Sequence, residues 1–212
     1  MDETRLITNI ESQEKRKYRF SIFLNGEFAF GIHQDVLLQS GIATGDALSQ
    51  EKIENILELE RRRSAKEKAY RLLSVRPRSE KEMHDRLKRA GYLEKDIAWV
   101  MEELLRLKLI NDSEFAIAFV RNRMITRPCG HYTLRQELQQ KGINDSAIAR
   151  AIAEAYKEQD EYHVAWQIAA QNKKKQMRLD EDKARKRVSD FLMRRGFGWD
   201  IIDDVTEKWD EL

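Results

Sequence analysis

The side chains with the most chemical potential in this chain are cations, and they come in three clusters. Arg76, Arg78, Lys81, Arg86, Lys88 and Arg89 form the first; Arg121, Arg123, Arg127, Arg135 and Lys141 the second; Lys173, Lys174, Lys175, Arg185, Lys186, Arg187, Arg194 and Arg195 the third. Guanidinium and ammonium groups at this density bind polyanions, most simply the phosphates of DNA. The total charge hides them, because 39 Lys and Arg against 37 Asp and Glu leave only +2 over 212 residues. The distribution is segregated: residues 71–89, 121–141 and 173–195 sum to +4, +4 and +6, whereas 92–110, 143–161 and 196–212 sum to −1, −3 and −5. Any one cation also reads as part of a solvated helix face with an i to i+4 partner, such as Glu82 with Arg86 or Asp85 with Arg89. The threefold recurrence of the bias favours binding.

Other chemistries find no footing. His33, His84, His131 and His163 are scattered, with no i+3 or i+4 partner that makes a metal set with one another or with the single cysteine, Cys129. No P-loop, dinucleotide fingerprint, nucleophile elbow or zinc motif occurs. Asp112 and Glu114 fall where a helix amino terminus favours acids, so capping explains them better than metal binding. Trp99, Trp166, Trp199 and Trp209 lie at helical spacings or beside turns and read as core, with Trp199 next to Gly198 open to contact. The expectation is a non-enzyme without cofactors. One cysteine allows no internal disulfide, the start Met-Asp-Glu-Thr lacks the order of a signal peptide, and no apolar run reaches the roughly 18–20 residues of a membrane span. A cytoplasmic protein with no membrane contact is expected.

What positions the cations is a frame that occurs three times. Gly91, Gly142 and Gly196 each have a leucine four residues before (Leu87, Leu138, Leu192) and an apolar residue eight before (Met83, Leu134, Val188). An apolar residue follows each glycine (Tyr92, Ile143, Phe197), and an isoleucine stands six beyond it (Ile97, Ile148, Ile202). The spacing predicts a helix ended by a left-handed glycine and followed by a second amphipathic helix. Adding the helix that precedes each frame predicts three-helix repeats over residues 63–110, 111–158 and 159–212, stacked to share a core. Within them Ser79 with Glu82 reads as a capping box, Asn111-Asp112-Ser113-Glu114 as another cap, and Thr133 with Gln136 as the restart after Pro128-Cys129-Gly130. A helix-turn-helix reading of the major groove is disfavoured, because the helices that would enter the groove are the acidic ones.

Residues 1–60 differ in period. Residues 18–24 and 27–32 alternate around Asn25-Gly26, a strong hairpin signal, and residues 5–10 offer a third strand. A two-residue turn pairs Ile22 with Ala29 and puts the bulky residues on different faces, so either both faces are covered or a bulge shifts the register. A short helix from Asp35 to Gly41 and a longer one capped by Ser49 and running to Arg63 complete a small strand-and-helix domain. The run at 60–66 reads as a solvated helical connector. The fold class is mainly α: a tandem array of three three-helix repeats behind a β-hairpin/helix domain.

The second repeat carries a resemblance. Leu109-Ile110-Asn111-Asp112-Ser113-Glu114-Phe115-Ala116, Arg121, Arg123, Gly130 and residues 134–143 (Leu-Arg-Gln-Glu-Leu-Gln-Gln-Lys-Gly-Ile) resemble the central motifs of RecX proteins, regulators of the RecA recombinase. Asn111 stands where the family usually has an acid, which preserves capping. The resemblance spans residues 63–212, with the first 60 residues expected to be a variable extension. It implies an all-helical, curved array that lodges in the groove of the RecA–DNA filament, inhibits strand exchange and ATP hydrolysis, and limits filament growth. The implied partners are RecA and single- and double-stranded DNA, with the protein a monomer and the basic positions above as its binding residues. The alternative is an autonomous DNA-binding or architectural repeat protein.

Overall fold

The computed structural model describes residues 4–14, 16–158, 160–176 and 178–212. The first three residues, on which the expected absence of a signal peptide rests, and Gln159, the expected start of the third repeat, lie outside them. The chain divides into two compact units: residues up to Arg76 together with Met83–Leu107, and Pro77–Glu82 together with Lys108–Leu212.

In the first unit, β1 (Arg5–Ser12), β2 (Arg19–Leu24), β3 (Glu27–His33) and β4 (Ala47–Leu48) form a sheet in the order β3-β2-β1-β4, with the neighbours antiparallel. Asn25 and Gly26 both take positive φ, 51° and 87°, as a type I′ hairpin requires. The register question is settled by a bulge: Phe23 faces Phe28 but Ile22 faces Phe30, which leaves Ala29 as the extra residue. Ile22 and Phe30 thereby reach the core, with Ile7, Ile32 and Val36, while Phe28 stays exposed. Helix α1 (Gln34–Ser40) ends at Gly41 in the left-handed conformation.

Helix α2 (Gln50–Val75) begins at Ser49, whose side chain accepts from the amide of Lys52, and continues without a break for 26 residues. It therefore runs through the expected boundary at 60–63, since nothing in 60–66 breaks a helix. Its first turns bury Ile53 and Ile56 beside the sheet, and its later ones bury Ala65 and Ala69. The 60–66 run is packed rather than merely solvated. Arg61 Nε donates to buried Asp96 at 3.1 Å, Arg62 lies over the Trp99 ring, and Lys66 pairs with Glu103 at 3.4 Å. Asp96 belongs to α4 (Glu94–Arg106).

The remaining helices are α3 (Glu80–Arg89), α5 (Asp112–Thr126), α6 (His131–Gln140), α7 (Asp145–Glu158), α8 (Glu161–Lys175), α9 (Glu181–Arg194) and α10 (Trp199–Glu207), with a closing 3-10 turn at Trp209–Glu211. The glycine frame holds in each repeat. Gly91, Gly142 and Gly196 have φ of 87°, 82° and 79°. The amide after each glycine donates to the frame leucine: Tyr92 to Leu87, Ile143 to Leu138, Phe197 to Leu192, at 3.2–3.4 Å. This is the Schellman closure, in which two otherwise orphaned helix carbonyls gain partners. Met83, Leu87 and Ile97, Leu134, Leu138 and Ile148, and Val188, Leu192 and Ile202 are all buried. Helix α6 starts earlier than expected, with Gly130 rather than Thr133 at its N-cap and no side-chain cap. Among the described residues no helix is long and apolar enough to cross a membrane.

Candidate polyanion interface

The structure sorts the three cation clusters into side chains that build the fold and side chains that do not. Lys81 Nζ donates to the Gln140 carbonyl at 3.2 Å, and Lys141 Nζ pairs with Glu82 at 2.7 Å over the rings of Phe115 and Phe119. Arg123 is bidentate to Glu137 at 2.8 and 2.9 Å and also donates to the Arg127 carbonyl; the Glu137 contact holds its guanidinium above the usual range. Lys173 donates to the Trp209 carbonyl and lies over that ring. Arg195 donates to the Pro128 carbonyl at 2.7 Å and stacks on Phe191. Arg78, expected on the surface, is buried at 8% exposure. These positions are held by packing, and substituting them tests the fold as much as binding.

A second set is exposed but engaged. Lys88 pairs with Glu94 at 2.7 Å, which raises its pKa, and Arg89 donates to the Asp85 carbonyl. Arg135 meets Asp145 and Arg187 donates to Gln176, while half-buried Arg185 meets Glu181 and lies over the Trp209 ring. Arg76 is exposed. Exposed pairs of this kind contribute little to stability, so a polyanion can compete for them. The third set is exposed with no side-chain hydrogen bond or ion pair among the described residues: Arg86, Arg121, Arg127, Lys174, Lys175, Lys186 and Arg194. Of these, Arg121 acts on Glu154 through space, helping to lower its carboxyl pKa.

The residues set aside in sequence take structural places. His33 Nδ1 accepts from the amide of Asp35, His84 meets Glu94, His131 meets Glu161 and His163 meets Gln167. Asn111 accepts from the amides of Ser113 and Glu114 and so caps α5. Asp112 accepts from the amide of Glu80 and so serves α3, with burial pushing its carboxyl pKa up. Burial likewise raises the thiol of Cys129. Among the described residues no group of three or more His, Cys, Asp or Glu could hold a metal ion. Sequence reading missed Tyr132 and Ile125, which are 59% and 83% exposed. Their helical spacing mimics core positions, and only packing distinguishes them. Trp199 is 59% exposed.

Comparison with known proteins covers nearly the whole chain. Residues 5–49 match the regulatory protein RecX N-terminal domain, 65–104 the RecX first three-helix domain, 111–152 the second and 159–206 the third. The first of these matches corrects the expectation of a variable extension, since the hairpin domain is itself a family element. Regulatory protein RecX of Bacillus subtilis (strain 168) is 33% identical over 202 residues, covering 95% of this chain and 76% of the relative. Its counterpart in Clostridium botulinum (strain Eklund 17B / Type B) is 28% identical over 205 residues, covering 95% of each. A crystal structure of regulatory protein RecX superposes with a TM-score of 0.76 at 27% identity, over 96% of this chain and 99% of that one. The structure of RecX from Lactobacillus salivarius gives 0.65 at 25% identity, over 73% and 99%. With the glycine frame, the hairpin domain and the sequence all in agreement, the chain belongs to the RecX family of regulatory proteins.

Proposed function

We propose that this protein is a non-enzymatic regulator that binds the RecA–DNA filament, inhibits its recombinase and ATPase activities and limits its growth. The observation that carries the reading is the set of exposed cations with no side-chain hydrogen bond or ion pair among the described residues, Arg86, Arg121, Arg127, Lys174, Lys175, Lys186 and Arg194, on a repeat scaffold of the RecX family. Such cations bind a phosphate backbone by releasing its counterions, without first breaking an ion pair. The protein acts in the cytoplasm as a monomer, touching RecA and single- and double-stranded DNA.

The test is RecA-dependent ATP hydrolysis on single-stranded DNA with this protein added below one copy per RecA. Inhibition at such ratios is expected, because a filament regulator acts on many subunits from one site. Inhibition only when the DNA is saturated would favour the autonomous DNA-binding reading, and no effect on the cognate RecA would overturn the proposal.

A further inference from the structure

Within the second unit, the end of α5, one face of α8 and the end of α9 line a pocket of about 280 Å³. Three cations line it, Arg127, Lys175 and Arg195, and no carboxylate does. They come from three separate helix ends, so their convergence is a property of the fold and not of a local run of charge.

Arg195 is the most constrained of the three. Its Nη1 is tied to the Pro128 carbonyl at 2.7 Å and its guanidinium carbon lies 5.0 Å from the centre of the Phe191 ring, so the fork is oriented before any ligand arrives. Burial, followed by the nearby charge of Arg127, depresses its pKa. Arg123 adds to the same effect, so like charges surround the guanidinium. The side chains of Arg127 and Lys175 have no hydrogen bond or ion pair among the described residues. Gln171 and Asn172 add amide donors to the rim, while Val164, Ile168 and Phe191 form an apolar wall. The volume lies at or below the low end of small-molecule pockets, roughly 300–1,000 Å³. A phosphate with its attached sugar suits that size better than a larger ligand.

The geometry points to a phosphate seat: Arg195, Arg127 and Lys175 together bind one phosphodiester of a single-stranded DNA backbone, whose sugar rests on the wall formed by Val164, Ile168 and Phe191. The oriented guanidinium supplies directed donors and the two exposed cations supply charge. The seat anchors the strand at one defined point, whereas the exposed cations outside it, Arg86, Arg121, Lys174, Lys186 and Arg194, act through their summed field. This deepens the proposed function and rests on it for the identity of the polymer.

The experiment measures binding of a labelled oligothymidylate by fluorescence anisotropy at several salt concentrations, with no RecA present. Arg127→Ala/Lys175→Ala is the variant, since neither side chain is tied into the fold. Arg5→Ala/Lys52→Ala, an equal loss of charge on exposed residues of the first unit, is the comparison. The pocket variant should lose about tenfold or more in affinity, well beyond the comparison, and its log–log salt slope should fall by roughly 0.7 for one single-strand phosphate no longer neutralised. A parallel arm measures thermal stabilisation by inorganic phosphate. Unchanged DNA affinity with phosphate stabilisation abolished in the variant would overturn the strand assignment in favour of a free phosphate. Unchanged behaviour in both arms would overturn the seat altogether. Because RecA is absent, either failure is distinguishable from a failure of the filament reading, which the hydrolysis assay reports by itself.

Discussion

The hydroxyl of Ser79 donates to the main-chain carbonyl of Lys141 at 2.7 Å, and the same oxygen accepts from the amide of Glu82 at 3.1 Å. Ser79 thus caps α3 and binds the residue just before the turn glycine Gly142. An equivalent relationship recurs at Gly130, whose amide donates at 2.9 Å to the carbonyl of Arg195, just before Gly196. In both cases the start of a second helix docks on the glycine turn of the following repeat. This accounts for why Lys141 and Arg195 are tied down while Ala90, at the same place in the first frame, is exposed.

Ser79→Ala removes the cap and the cross-link together. Unfolding by urea should show a loss of about 1–3 kcal/mol, the cap contributing about 1 and the buried hydrogen bond the remainder. Ser79→Asp should restore the cap but not the donation to Lys141, and so recover only part of the loss.

The turn glycines are not equivalent, and a series of Ala variants should rank them. At Gly91 a Cβ meets nothing within 4 Å, so only the left-handed backbone resists, at roughly 1–2 kcal/mol. At Gly142 the same backbone strain is joined by a Cβ at 2.7 Å from the Cβ of Lys81. At Gly130 φ is ordinary, but a Cβ would fall on the main chain of Gly196 and Phe197, which cannot move aside without opening the junction. The expected order of destabilisation is Gly130→Ala above Gly142→Ala above Gly91→Ala, read from urea midpoints. Leu138→Ala, at a fully buried frame position, should cost about 2–5 kcal/mol.

These junctions mark where sequence was informative and where it stopped. The frame around Gly91, Gly142 and Gly196 was readable because helix periodicity and the left-handed requirement of a Schellman turn are local. So was Asn25-Gly26. The bulge at Ala29 was visible only as a conflict of register, which pairing resolved. The two-residue strand Ala47–Leu48 is too short for any periodicity. Thr133 misled because its capping chemistry is generic, whereas the start of α6 is set by the close approach of Gly130 to Gly196. For the cations, residue type gave the chemistry but not the allocation. Lys81 and Lys141 find their partners about sixty positions away, beyond the reach of any i to i+4 rule.

The acids at the starts of α3 and α5 should impose a pH dependence on stability. Asp112 accepts from the amide of Glu80, and burial raises the pKa of both carboxyls, with the charge of Asp112 adding to that of Glu80. Raised acids stabilise the fold when protonated. Their contribution is present below the ordinary carboxylate range and is lost as pH rises through the raised values. Asp112→Asn keeps an acceptor for Glu80 and removes one of the two titrations, so unfolding free energy should vary less between about pH 4 and 7 than in the parent. Asp112→Ala removes the acceptor as well and should be about 1 kcal/mol less stable than Asp112→Asn at every pH.

The run Lys173-Lys174-Lys175, uniform in sequence, should separate into two behaviours. Lys173 donates to the carbonyl of Trp209 at 2.5 Å and sits 4.7 Å from the centre of its ring, and Trp209 is buried in the core of the last three helices. Lys173→Glu breaks a charge-assisted hydrogen bond and a cation–π interaction and sets a carboxylate against the ring face. It should lower stability by about 1–3 kcal/mol. Lys174 and Lys175 are exposed, and their side chains have no hydrogen bond or ion pair among the described residues. Lys174→Glu/Lys175→Glu should leave the urea midpoint within about 0.5 kcal/mol of the parent. It should also weaken single-stranded DNA binding and flatten its salt dependence by roughly 0.7 for each phosphate no longer neutralised. Paired urea and anisotropy measurements on the two variants check the division. If Lys173→Glu weakened DNA binding at unchanged stability, the assignment of Lys173 to the fold would fail.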